Sequence, residues 1–261
     1  MNILLAPFIN ALIGFYHLLG NFGWAVIIVT ILIRLLLLPL VLPTLKASKK
    51  MMLIQPKLKK IQDQFKDNKQ ALATAQMELY KKEGINPLAG CLPQILQIVI
   101  LVVFFMAFNM IVNFSMGQGD LVTLNKNLIP AFQLSEKTQV NLNFFGSDLA
   151  KTPKMIAQNG WNFNMLIPLI LLIGSAVFQY LSSKLMMPTA AKKTPVDQSA
   201  YVKATPDKSD DMMEAMRTQS LIMMPLMTII LGWNFNLGIL LYWFINSLVM
   251  LVQQVIIEKN G

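Results

Sequence analysis

The sequence predicts an all-α, polytopic membrane protein: five transmembrane helices, preceded by an N-terminal interfacial helix and interrupted by a cytoplasmic helical hairpin. Three observations carry this reading. Of 261 residues, 55% are hydrophobic and only 13% charged, and the mean hydropathy is +0.53, outside the usage of soluble domains. The apolar residues gather into runs, several close to the ~20 residues needed to cross ~30 Å of hydrocarbon. The basic residues, which give a net charge of +9, cluster between those runs. There they read first as topology signals and not as a nucleic-acid face.

Residues 1–22 hold a short apolar run in which Asn10, Gly14, His17 and Asn21 recur at helical spacing. They draw a narrow polar stripe along one face. The stripe suits an amphipathic helix lying in the interface; a minimal span over 3–19 is the alternative. His17 reads as an interfacial hydrogen bonder, with proton carriage as the other option. No Lys or Arg precedes the run, so the basic region of a signal peptide is not seen there.

Residues 23–261 form the core. The first span runs from Gly23 to Leu42 and carries Arg34 well inside the apolar stretch Trp24–Pro39. A guanidinium stays charged, and placing one near the bilayer centre costs roughly 2.5 to 3.5 kcal/mol on insertion scales. Three readings compete: snorkelling toward the cytoplasmic interface, a structural ion pair, or a water-filled polar cavity where a substrate could meet the charge. The ion pair is the weakest, because no Asp or Glu stands in any predicted span.

Residues 46–84 hold ten lysines and four acids between Lys46 and Glu83. Ile54, Leu58, Ile61 and Phe65 share one helical face, Asp67-Asn68 can turn the chain, and Leu72, Ala75 and Leu79 form a second face. This is an antiparallel helical hairpin. With no Lys or Arg in residues 1–23, the positive-inside rule places the hairpin in the cytoplasm and the N-terminus outside. Its lysines read as topology and a solvated face, or as contacts to lipid headgroups, the ribosome or nascent chains.

A second span starts at Asn86-Pro87 and reaches Val112, with Gln94 and Gln97 on one face. An external loop, 114–160, follows, its four Lys and three acids nearly balanced. The third span covers Asn164–Leu181, and 182–217 is a cytoplasmic loop. The fourth, Thr218–Leu231, is short, and the turn Gly232–Gly238 leads into a fifth from Ile239 to Ile257. Five spans leave the C-terminus inside. Spans three and four fall below about twenty residues, so the bilayer thins or water enters beside them; both lower the cost of Arg34. Asn246 and Gln253, seven apart, are nearly aligned, with Trp243 a turn away. Six of the 18 methionines, Met212, Met213, Met216, Met223, Met224 and Met227, crowd span four, either as an adaptable binding surface or as ordinary packing.

One cysteine (Cys91) and one histidine (His17) exclude a disulfide within the chain and a Cys/His metal cluster. No phosphate-binding glycine-lysine loop is present. No cofactor and no metal are expected.

The sequence resembles the YidC-type membrane protein insertases, whose mitochondrial and chloroplast relatives assemble respiratory and photosynthetic membrane proteins. The landmarks are Gly20-Asn21-Phe22-Gly23-Trp24, Arg34 followed by Pro39, Gln55-Pro56-Lys57 and Leu79-Tyr80-Lys81. Asn86-Pro87-Leu88-Ala89-Gly90-Cys91-Leu92-Pro93 then leads to Gln97, with Gly238, Leu241-Tyr242-Trp243 and Gln253-Gln254 later. Together they cover nearly the whole chain. The resemblance implies a five-span core in a bacterial cell membrane, with a hydrophilic groove open to cytoplasm and lipid but closed outside. The groove arginine maps onto Arg34, the cytoplasmic hairpin onto Lys46–Glu83, and substrates slide along the second and fourth spans. Two departures are expected to matter. The large external domain of some members is absent, and only Glu258-Lys259-Asn260-Gly261 follows Ile257, in place of a long basic tail offered to ribosomes.

The function expected is a membrane protein insertase and chaperone, not an enzyme. Its substrate-binding residues would be Arg34, Thr30, Gln94, Gln97, Trp243, Asn246 and Gln253. Partners would be newly made membrane proteins and the lipid bilayer, with a Sec-type translocon and the ribosome as further candidates and no specific nucleic acid. An anion channel or transporter with Arg34 as its binding charge is the rival; a membrane-embedded enzyme comes third.

Overall fold

The computed structural model describes residues 3–65, 68–84, 92–158, 160–186 and 219–260. The expected turn residue Asp67, the start of the second span at Asn86-Pro87, Cys91, Met212, Met213, Met216 and Thr218, and the loop over 187–217 lie outside the described residues. Helix α1 is Leu5–Leu19. Helix α2, Phe22–Leu53, is 32 residues long and contains Pro39 and Pro43. Its apolar, membrane-length part, Phe22–Pro43, matches the expected first span, but the helix itself runs on past Lys46, where the hairpin is expected to begin, because the residues beyond are mostly good helix formers with no glycine among them. The break falls instead at Ile54, with Pro56 in the first turn of α3, Gln55–Gln64, where proline is tolerated best.

Helix α4, Lys69–Lys82, starts on Asn68, whose side chain accepts from the backbone of Gln70 and Ala71, an N-cap that satisfies otherwise orphaned donors. Ile54 and Leu58 are buried against Leu79 and Tyr80, and Lys57 Nζ lies 2.5 Å from Glu83 Oε1. The start of α3 thus meets the end of α4, which makes the pair antiparallel.

The remaining long helices are α5, Leu92–Ser115, and α8, Leu166–Met186. Between them lie two five-residue helices, α6 (Leu121–Asn125) and α7 (Pro153–Ala157). An antiparallel pair also falls there, β1 (Asn143–Phe144) and β2 (Ser147–Asp148), in register Asn143↔Asp148. A π-helical turn, Gln219–Met223, leads into α9, Met224–Gly232, and the chain ends in α10, Leu237–Asn260. Among the described residues, four helical segments are long and apolar enough to cross a membrane: Phe22–Pro43, Ile95–Ser115, Phe163–Leu185 and Leu237–Ile256. Leu5–Leu19 and Leu221–Gly232 are shorter apolar helices. The third segment has 23 residues where fewer than twenty were expected, because Ser182, Ser183 and Lys184 continue the helix. Of the five expected spans, only the fourth is short within the described residues, at Leu221–Gly232.

One end of the bundle is closed by the loop carrying α6, β1, β2 and α7. Its carbonyls at Asn141, Lys151 and Leu149 accept from the backbone N–H of Phe22, Leu237 and Gly238 at 3.1, 2.8 and 3.0 Å. The loop therefore caps the first turns of α2 and α10, whose donors have no intrahelical partner. The polar stripe of α1 also meets this loop. Asn10 bonds both the Asn127 carbonyl and the Ile129 N–H, Asn21 bonds the Asn143 carbonyl, and His17 stacks on Phe132. The opposite face of α1 buries Leu5, Ile9, Leu12 and Ile13 in the core. Near the start of α10, a Cβ at Gly238 would come within 2.1 Å of the Phe108 ring, so only glycine admits that ring.

Candidate functional site

Arg34 lies twelve residues into α2, about 18 Å from its start at 1.5 Å per residue, and Asn246 lies nine residues into α10. Both helices begin under the same capping loop and run parallel, which brings the two side chains level. Arg34 is half-buried, and its Nε donates to Asn246 Oδ1 at 2.6 Å. Asn246 is itself buried. A guanidinium offers five N–H bonds, and among the described residues this is its one hydrogen-bond acceptor. An amide oxygen orients the fork without neutralising it, so the positive charge remains available to a third party.

One turn before Arg34, Thr30 is 1% exposed, and its hydroxyl donates to the Val26 carbonyl at 2.6 Å. It is closed on its own helix and does not reach Arg34. Gln97, on α5, donates to the Tyr242 hydroxyl at 3.2 Å. Tyr242 is 2% exposed and stacks on Phe104 with ring centres 4.2 Å apart. Trp243 is half-buried and packs on Phe235 at 5.9 Å. Gln253 is half-buried as well, with no hydrogen bond to the others among the described residues. The Gln94 side chain lies outside the described residues.

Sequence reasoning did not assign site roles to several polar groups on these helices. Tyr242 ties α5 to α10 through Gln97. Thr228 on α9 donates to Gln179 Oε1 on α8 at 2.8 Å. Gln254 is 6% exposed, with neither amide atom hydrogen-bonded among the described residues, while its neighbour Gln253 is the one aligned with Asn246. Eight residues advance a helix by about 80° beyond two turns and seven fall about 20° short. Spacing therefore favoured Gln253, and only packing shows that Gln254 is the buried one.

The arrangement combines a lasting positive charge at mid-span, an amide that orients it, and apolar helices without an Asp or Glu in any of the four long segments. Such a site can attract an anionic or polar segment. No metal-binding group of His, Cys, Asp and Glu occurs among the described residues.

Fold and site together define a multi-pass, all-helical membrane protein built around a half-buried arginine. The chain belongs to the 60Kd inner membrane protein family, whose model matches residues 14–261. Similar proteins include one named membrane protein insertase YidC from Endomicrobium trichonymphae, 29% identical over 96% of this chain. Proteins of the same name from Rickettsia conorii and Pelobacter propionicus are 30% and 29% identical over 98% and 99% of it. The alignments cover 38% to 39% of those relatives, so the chain spans about two-fifths of their length.

Proposed function

We propose that this chain is a membrane protein insertase and chaperone that works without nucleotide hydrolysis and without making or breaking a covalent bond. The observation that carries the reading is the Arg34–Asn246 contact, a mid-span charge held by an amide and, among the described residues, facing no carboxylate. Family membership and the names of its relatives agree with it. In this reading Arg34, Gln94, Gln97, Asn246 and Gln253 line a wet, lipid-open groove, with Thr30 and Trp243 in its walls. The groove attracts the polar or acidic tail of a newly made membrane protein, and the adjoining apolar segment then passes into lipid. That transfer, worth about 0.8 kcal/mol per buried CH₂, supplies the driving free energy.

The topology that fits is an external N-terminus, an interfacial α1, a cytoplasmic α3–α4 hairpin and a cytoplasmic C-terminus, with α9 as the short fourth of five spans. The loop that caps α2 and α10 then closes the outer end. A Sec-type translocon and the ribosome are further proposed partners. The channel reading needs a path through both ends, and the capped end favours the insertase instead. A photo-reactive residue at position 34 tests this proposal. Adducts with nascent membrane proteins are expected, and adducts with lipid alone would contradict it.

A further inference from the structure

Phe145 is the only residue other than glycine with a positive φ among the described residues, at 49°. It sits with Gly146, φ 78°, in the two-residue turn between β1 and β2. Positive φ at both central positions is the type I′ geometry. That turn favours Asn or Asp at its first position, because a bulky side chain with positive φ is sterically opposed. A phenylalanine held there against its backbone preference calls for a reason outside the turn.

The surroundings supply one. Phe145 is 72% exposed, yet its ring lies 4.6 Å from Phe144 and 6.3 Å from Trp24, in edge-to-face contact with both. Trp24 belongs to the first turn of the apolar segment Phe22–Pro43 and is itself 46% exposed. Phe144 is fixed against the same turn, since a Cβ at Gly23 would stand 2.2 Å from its ring. The turn is thereby seated at the level where a membrane-spanning helix begins. Trp161 and Phe163, 73% and 84% exposed, lie at the same end of the bundle, just before α8. Tryptophans are enriched at bilayer interfaces, and phenylalanines beside them add apolar area that enters the headgroup–acyl boundary.

We infer that the β1–β2 turn is a lipid anchor: Phe145, presented by its positive-φ backbone beside Trp24, inserts its ring into the headgroup–acyl boundary of the leaflet at the capped end. The occupant of this surface is lipid, because Phe145 packs on Trp24, an exposed residue in the first turn of a membrane-length apolar segment. The anchor would hold the capping loop against the bilayer while α2 and α10 lean on it.

The test keeps the ring in place. A fluorophenylalanine at position 145 of the full chain, in phosphatidylcholine nanodiscs, is read by fluorine NMR. A nitroxide lipid labelled just below the headgroup should erase its signal, and a water-soluble gadolinium chelate should leave it intact. Loss to gadolinium alone would overturn the anchor, as would indifference to both, which would mean a protein surface covers the ring. A second variant separates anchoring from folding. Phe145→Asn, which the turn accepts more readily, should melt no lower in detergent. In nanodiscs it should expose a fluorotryptophan at position 24 to gadolinium. A lower melting point, or an unchanged position 24, would show that Phe145 serves packing only.

Discussion

Arg34 Nε donates to Asn246 Oδ1 at 2.6 Å across a sequence separation of 212 residues, tying the first apolar span to the last. The contact assigns Asn246 two separable duties: to accept a hydrogen bond from a charged group, and to leave that charge unneutralised. Asn246→Leu should lower stability by about 2 kcal/mol, the scale of losing a hydrogen bond to a charged group. Asn246→Asp should keep or raise the melting temperature by forming an ion pair, yet reduce insertion of substrates with acidic tails. Thermal melting and an insertion assay on the same preparations read the two duties separately. Equal loss of both in the two variants would show that Asn246 matters only for packing.

The Gly238–Phe108 contact makes a steric prediction. A Cβ at position 238 meets the ring at 2.1 Å, and no positive φ is involved, so Gly238→Ala should cost about 1 to 3 kcal/mol by overpacking. Phe108→Leu should restore part of that loss in the double variant. Additive losses in a double-mutant cycle would place the strain elsewhere.

Periodicity in the sequence revealed faces but not what they meet. The stripe Asn10, Gly14, His17 and Asn21 was legible as a polar face, but its partners are loop residues more than a hundred positions away, which spacing cannot supply. Arg34 and Asn246 were each legible as polar intrusions into apolar runs, because the cost of burying them singles them out. Their pairing depends on α2 and α10 sharing one cap. The β1–β2 turn is illegible: two-residue strands carry no alternation to read, and Phe145 stands where the Asn or Asp that signals such a turn would be. The end of the apolar span near Pro43 is legible, whereas the helix's continuation to Leu53 is not, because the lysines there signal topology and say nothing of where a helix stops.

The hairpin should respond to acid in a defined direction. Glu83 is held below the ordinary carboxylate value, first by its hydrogen bond to Lys57 and then by that residue's charge. A depressed carboxylate lends stability that is present above the unfolded value of about 4.3 and is lost as pH falls through the folded one. Amide exchange in α3 and α4, measured relative to α5, should be steady from neutral pH down to about pH 5 and rise relative to it below that. In Glu83→Gln the acid limb should flatten. An unchanged acid limb would assign the pH response to another group.

Topology follows from the placement of the lysines. In a Cys91→Ser background, Lys60→Cys on α3 should be labelled by an impermeant thiol reagent only from the cytoplasmic side. Lys137→Cys, in the loop that caps α2 and α10, should be labelled only from outside. Labelling of both from one side would overturn the proposed orientation.

Arg34 should act as a positive charge in a wet groove and not as a fixed fork for one ligand. A unit charge about 10 Å away at an effective dielectric of about 20 is worth about 1.7 kcal/mol, roughly a tenfold effect on rate. The decisive measurement is protease protection of two substrates in reconstituted vesicles, one with an acidic translocated tail and one with a neutral tail, using Arg34→Lys and Arg34→Ala. Lysine should retain most activity toward both, whereas alanine should slow the acidic substrate roughly tenfold and the neutral one far less. Lysine as damaging as alanine would replace the charge with a specific hydrogen-bonding fork, and alanine harmless to both substrates would contradict the groove altogether.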